Sequence, residues 1–108
     1  MSLTQKKCGP CEGGVPPLTK DPIALFLSQL KQKWAVVDNK KIRREFKFED
    51  FAEAMKFVNK VAALAEEEGH HPDLHIHWNK VLIELWTHEI GGLAENDFIV
   101  AAKIEEIK

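Results

Sequence analysis

The periodicity of the chain changes abruptly at Gly69–Pro72, and this change constrains the fold more than any other feature. Before it, Phe51, Met55, Val58, Ala62 and Ala65 recur at helical spacing, with Phe57 and Val61 widening the stripe. This predicts a long helix over roughly Glu49 to Glu68. Gly69 is a natural C-terminal cap. Pro72 prevents continuation and biases His71 toward extended backbone. After it the period is two: Leu74, Ile76 and Trp78 alternate with His75, His77 and Asn79. Beyond a tight turn near Asn79-Lys80, Val81, Ile83 and Leu85 alternate with Leu82, Glu84, Trp86 and His88. Alternation sends successive side chains to opposite faces of a sheet. A helix followed by a hairpin is therefore expected, with one continuously apolar strand face under the helices.

The first half of the chain repeats this order. Asp21 followed by Pro22 reads as a helix start, an N-cap acceptor and then proline at the first helical position. Ile23, Phe26, Leu27 and Leu30 continue it to about Lys33. Trp34–Val37 and Lys41–Phe48 read as strands joined at Asp38-Asn39-Lys40, where Asn39 tolerates positive φ. After Gly91-Gly92, the segment Ala94 to Ile107 reads as a last helix. The order α-β-β-α-β-β-α predicts an α+β two-layer sandwich, a four-stranded antiparallel sheet with helices on one face. The other face mixes polar and large apolar groups and suits a ligand or another subunit.

A chain of 108 residues is one domain in its simplest reading. Residues 1–20, rich in Lys, Gly and Pro, are expected to form an N-terminal arm lying on the surface or partly disordered, with the domain over 21–108. The formal net charge of -2 gives no whole-domain attraction to nucleic acid or anionic lipid. No apolar run approaches the roughly 18 residues of a membrane span, and the start lacks a secretory h-region. A cytoplasmic location is expected. Cys8 and Cys11 supply two thiols in C-G-P-C. They read most simply as reduced thiols in a loop. Two thiolates are also half of a zinc site, to be completed by histidines or a second subunit.

All five histidines lie between positions 70 and 88. Histidine exchanges protons near neutral pH and is also a common metal ligand, so both chemistries stay open. His70 and His71 fall in the loop beyond the helix end, and Glu66 lies one turn before His70. In an antiparallel hairpin the start of the first strand is adjacent to the end of the second. His88 is therefore expected to approach His70 and His71. Paired imidazoles near a carboxylate supply an acid, a base and an orienting group. Alternation alone explains His75 and His77 as solvent-side residues. For a metal site, those two point the same way, but the helical H-E-x-x-H pattern is absent.

Glu66, His70-His71-Pro72-Asp73, Trp78-Asn79, Thr87-His88-Glu89, Gly92-Leu93 and Asp97 together resemble the signature of the pterin-4a-carbinolamine dehydratases. The similarity spans Pro22 to Ile107, and the arm with C-x-x-C-E-G-G-V-P-P-L looks like the extension of some bacterial and plant members. The resemblance implies a hydro-lyase that converts 4a-hydroxytetrahydrobiopterin, or a related pterin, to quinonoid dihydropterin in tetrahydrobiopterin recycling, with no metal or organic cofactor. It implies His70, His71 and His88 as catalytic residues, with His70 and His88 as the acid/base pair and His71 as a pterin-binding group. Glu66, Pro72, Asp73, Trp78, Thr87, Glu89 and Asp97 would bind substrate or support the site. Leu74 stands where the family has an aromatic, and Ala94 where a helix-capping Thr or Ser is usual. The family also contains dimerisation partners of a transcription factor and proteins linked to RuBisCO assembly, so a non-catalytic interaction module is the alternative. A free sheet edge and a partly apolar face argue for a homodimer or homotetramer.

Overall fold

Asp38 and Asn39 both adopt left-handed backbone, with φ of 53° and 55°. Short polar side chains tolerate that region, and the two residues close the first hairpin. The computed structural model describes residues 3–6, 8 and 16–107; Cys11, half of the C-x-x-C pair, lies outside them. Three helices, α1 (Lys20–Ser28), α2 (Phe51–Glu68) and α3 (Glu95–Glu105), alternate with two hairpins. The strands are β1 (Ala35–Val37), β2 (Lys41–Lys47), β3 (Asp73–His77) and β4 (Lys80–Leu85). All strand pairs are antiparallel, in the order β1-β2-β4-β3. The expected α+β two-layer arrangement is what the chain adopts.

The two central strands carry the core. Ile42 stands opposite Leu85, and Phe46 opposite Val81. Ile42, Val81, Ile83 and Leu85 are fully buried with Val61 of α2 and Phe98 of α3. Phe26 of α1 stacks on Phe98 at 5.4 Å between centroids. At the far end of the sheet, Phe57 bridges Phe46 and Phe48. Burying a large apolar side chain contributes about 1.5–3 kcal/mol, so these residues hold the helices on this face.

Several sequence expectations need correction. Asp21 is not the N-cap: α1 begins at Lys20 with Thr19 before it, and Asp21 sits in the first turn, where its charge complements the helix dipole. The helix also stops at Ser28 rather than near Lys33. The N–H groups of Lys31 and Gln32 and the Trp34 indole all donate to the Glu105 carboxylate of α3. That distant acceptor draws the chain out of helical register. The second hairpin turns at Trp78-Asn79, with Trp78 at φ 49°. Finally, its apolar face is not continuous: β3 is an edge strand, and Ile76 and Trp78 are 38% and 65% exposed.

β4 ends at Leu85 rather than running on to His88. Thr87 instead forms a bridge with Gly92, N–H to O at 2.8 Å in one direction and 3.3 Å in the other. His88–Ile90 between them make one 3-10 turn, closed by Gly91 at φ 66°. His88 therefore stands on a turn, not on a strand.

Candidate functional site

The site begins where α2 ends. Gly69, at φ 67°, closes the helix, and the N–H groups of Gly69 and His70 both reach the Ala65 carbonyl. This six-to-one closure is the usual use of a left-handed glycine. It turns the His70 ring back under the helix, where its Nε2 meets Asp97 Oδ1 at 2.6 Å. The His70 side chain is only 10% exposed and that of Asp97 is completely buried.

A buried carboxylate is costly unless hydrogen bonds satisfy it. Asp97 has three partners. His70 occupies one oxygen, while the Thr87 hydroxyl and the Ala94 N–H both donate to the other, each at 2.9 Å. Ala94 has no side-chain cap to offer α3, as its identity predicts. The reciprocal half of a capping box survives, because Asp97 at the third helical position takes the Ala94 N–H. One carboxylate thus joins the end of α2, the segment after β4 and the start of α3. Because a carboxylate accepts, His70 Nε2 is the donor in this bond.

The other two candidate histidines are exposed. His71 Nε2 lies 2.5 Å from Glu66 Oε2, and both side chains are more than half exposed. Glu66 therefore serves His71 rather than the nearer-sounding His70. The His88 ring packs at 3.8 Å from the Trp86 ring, tilted by 38°. Trp86 in turn donates its indole N–H to Asp73 Oδ2 at 2.9 Å. Trp86 also borders an open cleft of about 250 Å³ with Val37, Asp38, Lys40 and Lys41.

Thus His70, Thr87 and Asp97 share one network, His71 and Glu66 form a second pair, and His88, Trp86 and Asp73 a third group. Pro72, half-buried, links His71 to β3. Two predicted supporting residues are not brought in. Trp78 is at the opposite end of β3, about 17 Å along the strand from Asp73 at ~3.3 Å per residue. Glu89 is an exposed residue of the 3-10 turn. Trp86 was not singled out from sequence. Its place two residues before His88 in the period-two pattern is the available signal.

His75 is better partnered than alternation suggests. Its Nε2 lies 3.0 Å from Glu84, which Lys41 also approaches at 3.2 Å. Burial alone would raise the Glu84 pKa, but the His75 and Lys41 contacts outweigh it and hold the carboxyl below its ordinary value. Among the described residues no three His, Cys, Asp or Glu side chains gather in an arrangement able to hold a metal ion. Among them too, no helix is long and apolar enough to cross a membrane.

Comparison with known proteins identifies relatives of the chain and of its fold. The family profile described as pterin 4 alpha carbinolamine dehydratase matches residues 16–107. A provisionally named pterin-4-alpha-carbinolamine dehydratase of Rickettsia bellii is 54% identical over 104 residues, covering 96% of this chain and 92% of its own. One from Alkaliphilus metalliredigens is 49% identical over 105 residues, 97% of this chain and 95% of its own. The crystal structure of a transcriptional coactivator/pterin dehydratase from Brucella melitensis superposes with a TM-score of 0.76. Its identity is 36%, over 82% of this chain and 95% of that one. A pterin dehydratase-like protein described as a RuBisCO assembly factor in the alpha-carboxysome aligns at a TM-score of 0.59. It is 25% identical, over 69% and 88% of the two chains.

Proposed function

The chain belongs to the pterin 4 alpha carbinolamine dehydratase family, and from that premise we propose that it dehydrates 4a-hydroxytetrahydrobiopterin, or a related pterin, to the quinonoid dihydropterin. The reaction breaks the C4a–O bond and sends its electron pair to oxygen. That oxygen takes a proton and leaves as water. A base removes the N5 proton, and the electrons of the N5–H bond form the N5=C4a double bond. Atoms and charge balance with one general acid and one general base, and the step asks for no metal or organic cofactor.

The observation that carries this reading is the buried His70–Asp97–Thr87 network with His88 directly after Thr87. Asp97 fixes the tautomer and orientation of His70, as a carboxylate behind an imidazole does in other proton-transfer sites. His70 Nδ1 and His88 then form the acid/base pair, and His71 binds the pterin. The Trp86 ring beside His88 and its adjoining cleft offer a flat wall for a bicyclic heterocycle. A positioned acid or base contributes about 10²–10⁴-fold. The test is a dehydration assay on synthetic 4a-hydroxytetrahydropterin with wild type and His88→Ala. Turnover should fall by about 10²-fold or more with the fold intact; wild-type turnover in the variant would sink the assignment.

The exposed Ile76 and Trp78 on the open β3 edge favour a protein contact, read as a homodimer or homotetramer in the cytoplasm. They also keep a second reading in view, a non-catalytic interaction module. A stable stoichiometric complex with another protein and no acceleration of dehydration would select it.

A further inference from the structure

Glu68 is the last residue of α2, two positions before His70, and its side chain is only 3% exposed. A buried carboxylate needs partners. It has two, from opposite ends of the chain. Lys103 of α3 donates to one oxygen at 2.8 Å, and the backbone N–H of Cys8 donates to the other at 3.0 Å. Burial pulls the Glu68 pKa up, but these bonds outweigh it and hold it below the ordinary value.

The rest of the described N-terminal segment grips the same region. The Cys8 thiol donates to the Asn96 carbonyl at 3.6 Å. Burial, reinforced by Glu68, pushes that thiol up to about 12, so it remains an S–H donor at any physiological pH. Lys6 pairs with Glu95. Leu3 is 3% exposed and belongs to the hydrophobic core. Farther along, Leu18 N–H bonds to Leu93 O at 2.8 Å, and Pro17 occupies the space beside Gly92 where a Cβ would sit. The segment thus holds residues 68, 92, 93, 95 and 96. These flank His70 at the end of α2, Thr87 through its bridge to Gly92, and Asp97 in the first turn of α3.

We propose that the N-terminal segment is a positioning element of the site: through Cys8 and Glu68 it fixes the gap between the helix ends that carry His70 and Asp97. The 2.6 Å His70–Asp97 bond joins two separate elements. A shift of about 1 Å between them lengthens it beyond useful hydrogen-bonding range, and a misplacement of that size costs as much as about 10²-fold in rate. Cys8 and Glu68 bond to each other, to Asn96 and to Lys103, so they act on His70 and Asp97 through the helix ends.

This inference rests on His70 as an acid/base group, and its test separates the two. In the full-length chain, Leu3→Asp places a charge in the buried seat of the segment, and Glu68→Gln removes the charge shared by Cys8 and Lys103. Three readouts apply: kcat and KM measured separately, the His70 Nε2–H resonance by NMR, and hydrogen exchange at the Cys8 amide. Faster exchange at Cys8, a shifted or broadened His70 resonance and a kcat drop of about tenfold with little change in KM are expected in both variants. An unchanged His70 resonance with kcat within about twofold of wild type, despite faster Cys8 exchange, overturns the proposal. If Leu3→Asp does not fold, Glu68→Gln decides alone. If the wild-type protein has no dehydratase activity, the proposed function fails while the resonance still decides whether the segment positions His70.

Discussion

Replacing Asp97 with asparagine keeps the side-chain shape but removes the charge that joins three elements. Asparagine offers one acceptor oxygen and one amide donor in place of two acceptors. Thr87 and Ala94 both donate to the same oxygen, so the asparagine carbonyl belongs there. Its NH₂ group then faces His70 Nε2. Two donors cannot bond, so His70 must move its hydrogen to Nδ1, which closes the nitrogen available for proton exchange. Hydrogen bonds to a charged acceptor contribute about 1.5–3 kcal/mol against about 1 for neutral ones. With two such bonds weakened, the loss of stability comes to about 1–4 kcal/mol. That corresponds to a fall in Tm of roughly 5–20 °C for a domain near this size, survivable at 25 °C given typical stabilities of about 5–15 kcal/mol. Dehydration should fall by about 10²–10⁴-fold at 25 °C, and long-range ¹H–¹⁵N spectra should show the His70 hydrogen moved to Nδ1. A folded Asp97→Asn protein with wild-type turnover, or one that keeps the hydrogen on Nε2, refutes the argument from Asp97 to His70.

Three further outcomes follow from the same geometry. Glu68 and Glu84 both have folded pKa values below the ordinary 4.5, so their contribution is fully present above that value and is lost as pH falls through the lowered pKa. Urea midpoints measured from pH 7 to 3 should therefore fall on the acid side, and less steeply in a Glu68→Gln, Glu84→Gln double variant; equal slopes would contradict this. The Cys8 thiol, raised from 9.0 to about 12, should alkylate at pH 8 about a thousand-fold more slowly than an exposed thiol. Peptide mapping of iodoacetamide-treated native protein checks this, and rapid labelling at Cys8 would count against the docked segment. Gly92→Ala places a Cβ 2.6 Å from Pro17 Cβ and should cost about 1–3 kcal/mol by overpacking; an unchanged Tm would mean that Pro17 does not press on this bridge.

The features legible in the sequence are those set by a few neighbouring residues. Gly69 caps α2 as its identity predicts, because the helix needs such a residue wherever its neighbours lie. Asn39 closes its turn for the same local reason. The misreadings occur where a distant group takes over a backbone donor. Nothing near Lys31 announces that Glu105, some seventy residues on, will accept its N–H. Nothing in the period-two pattern after Leu85 shows that Thr87 will pair with Gly92 and so send His88 onto a turn. Asp97 entered as a supporting residue only through the family resemblance. Its three partners come from three elements, and no spacing rule connects 70, 87 and 97. Cys8 is the extreme case: its N–H reaches a carboxylate sixty residues away.

The Thr87–Gly92 bridge also explains how the proposed acid/base pair can lie on two sides of one strand end. Extended backbone sends alternate side chains to opposite faces. Leu85 and Thr87 point toward the helices, Leu85 into the core and Thr87 to Asp97, whereas Glu84 and Trp86 face the open side of the sheet. His88 packs against Trp86 and so belongs to the open side, while His70 is held by Asp97 on the helix side. A shift of one residue in this segment would exchange the roles, turning His88 inward and Thr87 out. The paired N–H···O bonds between Thr87 and Gly92 block that shift, and Gly91 at φ 66° supplies the tight return that lets the bridge form. With Pro17 pressed against Gly92 and Leu18 bonded to Leu93, the register at Thr87 is held from outside the sheet as well. The site therefore depends on a backbone pairing that carries no catalytic group itself.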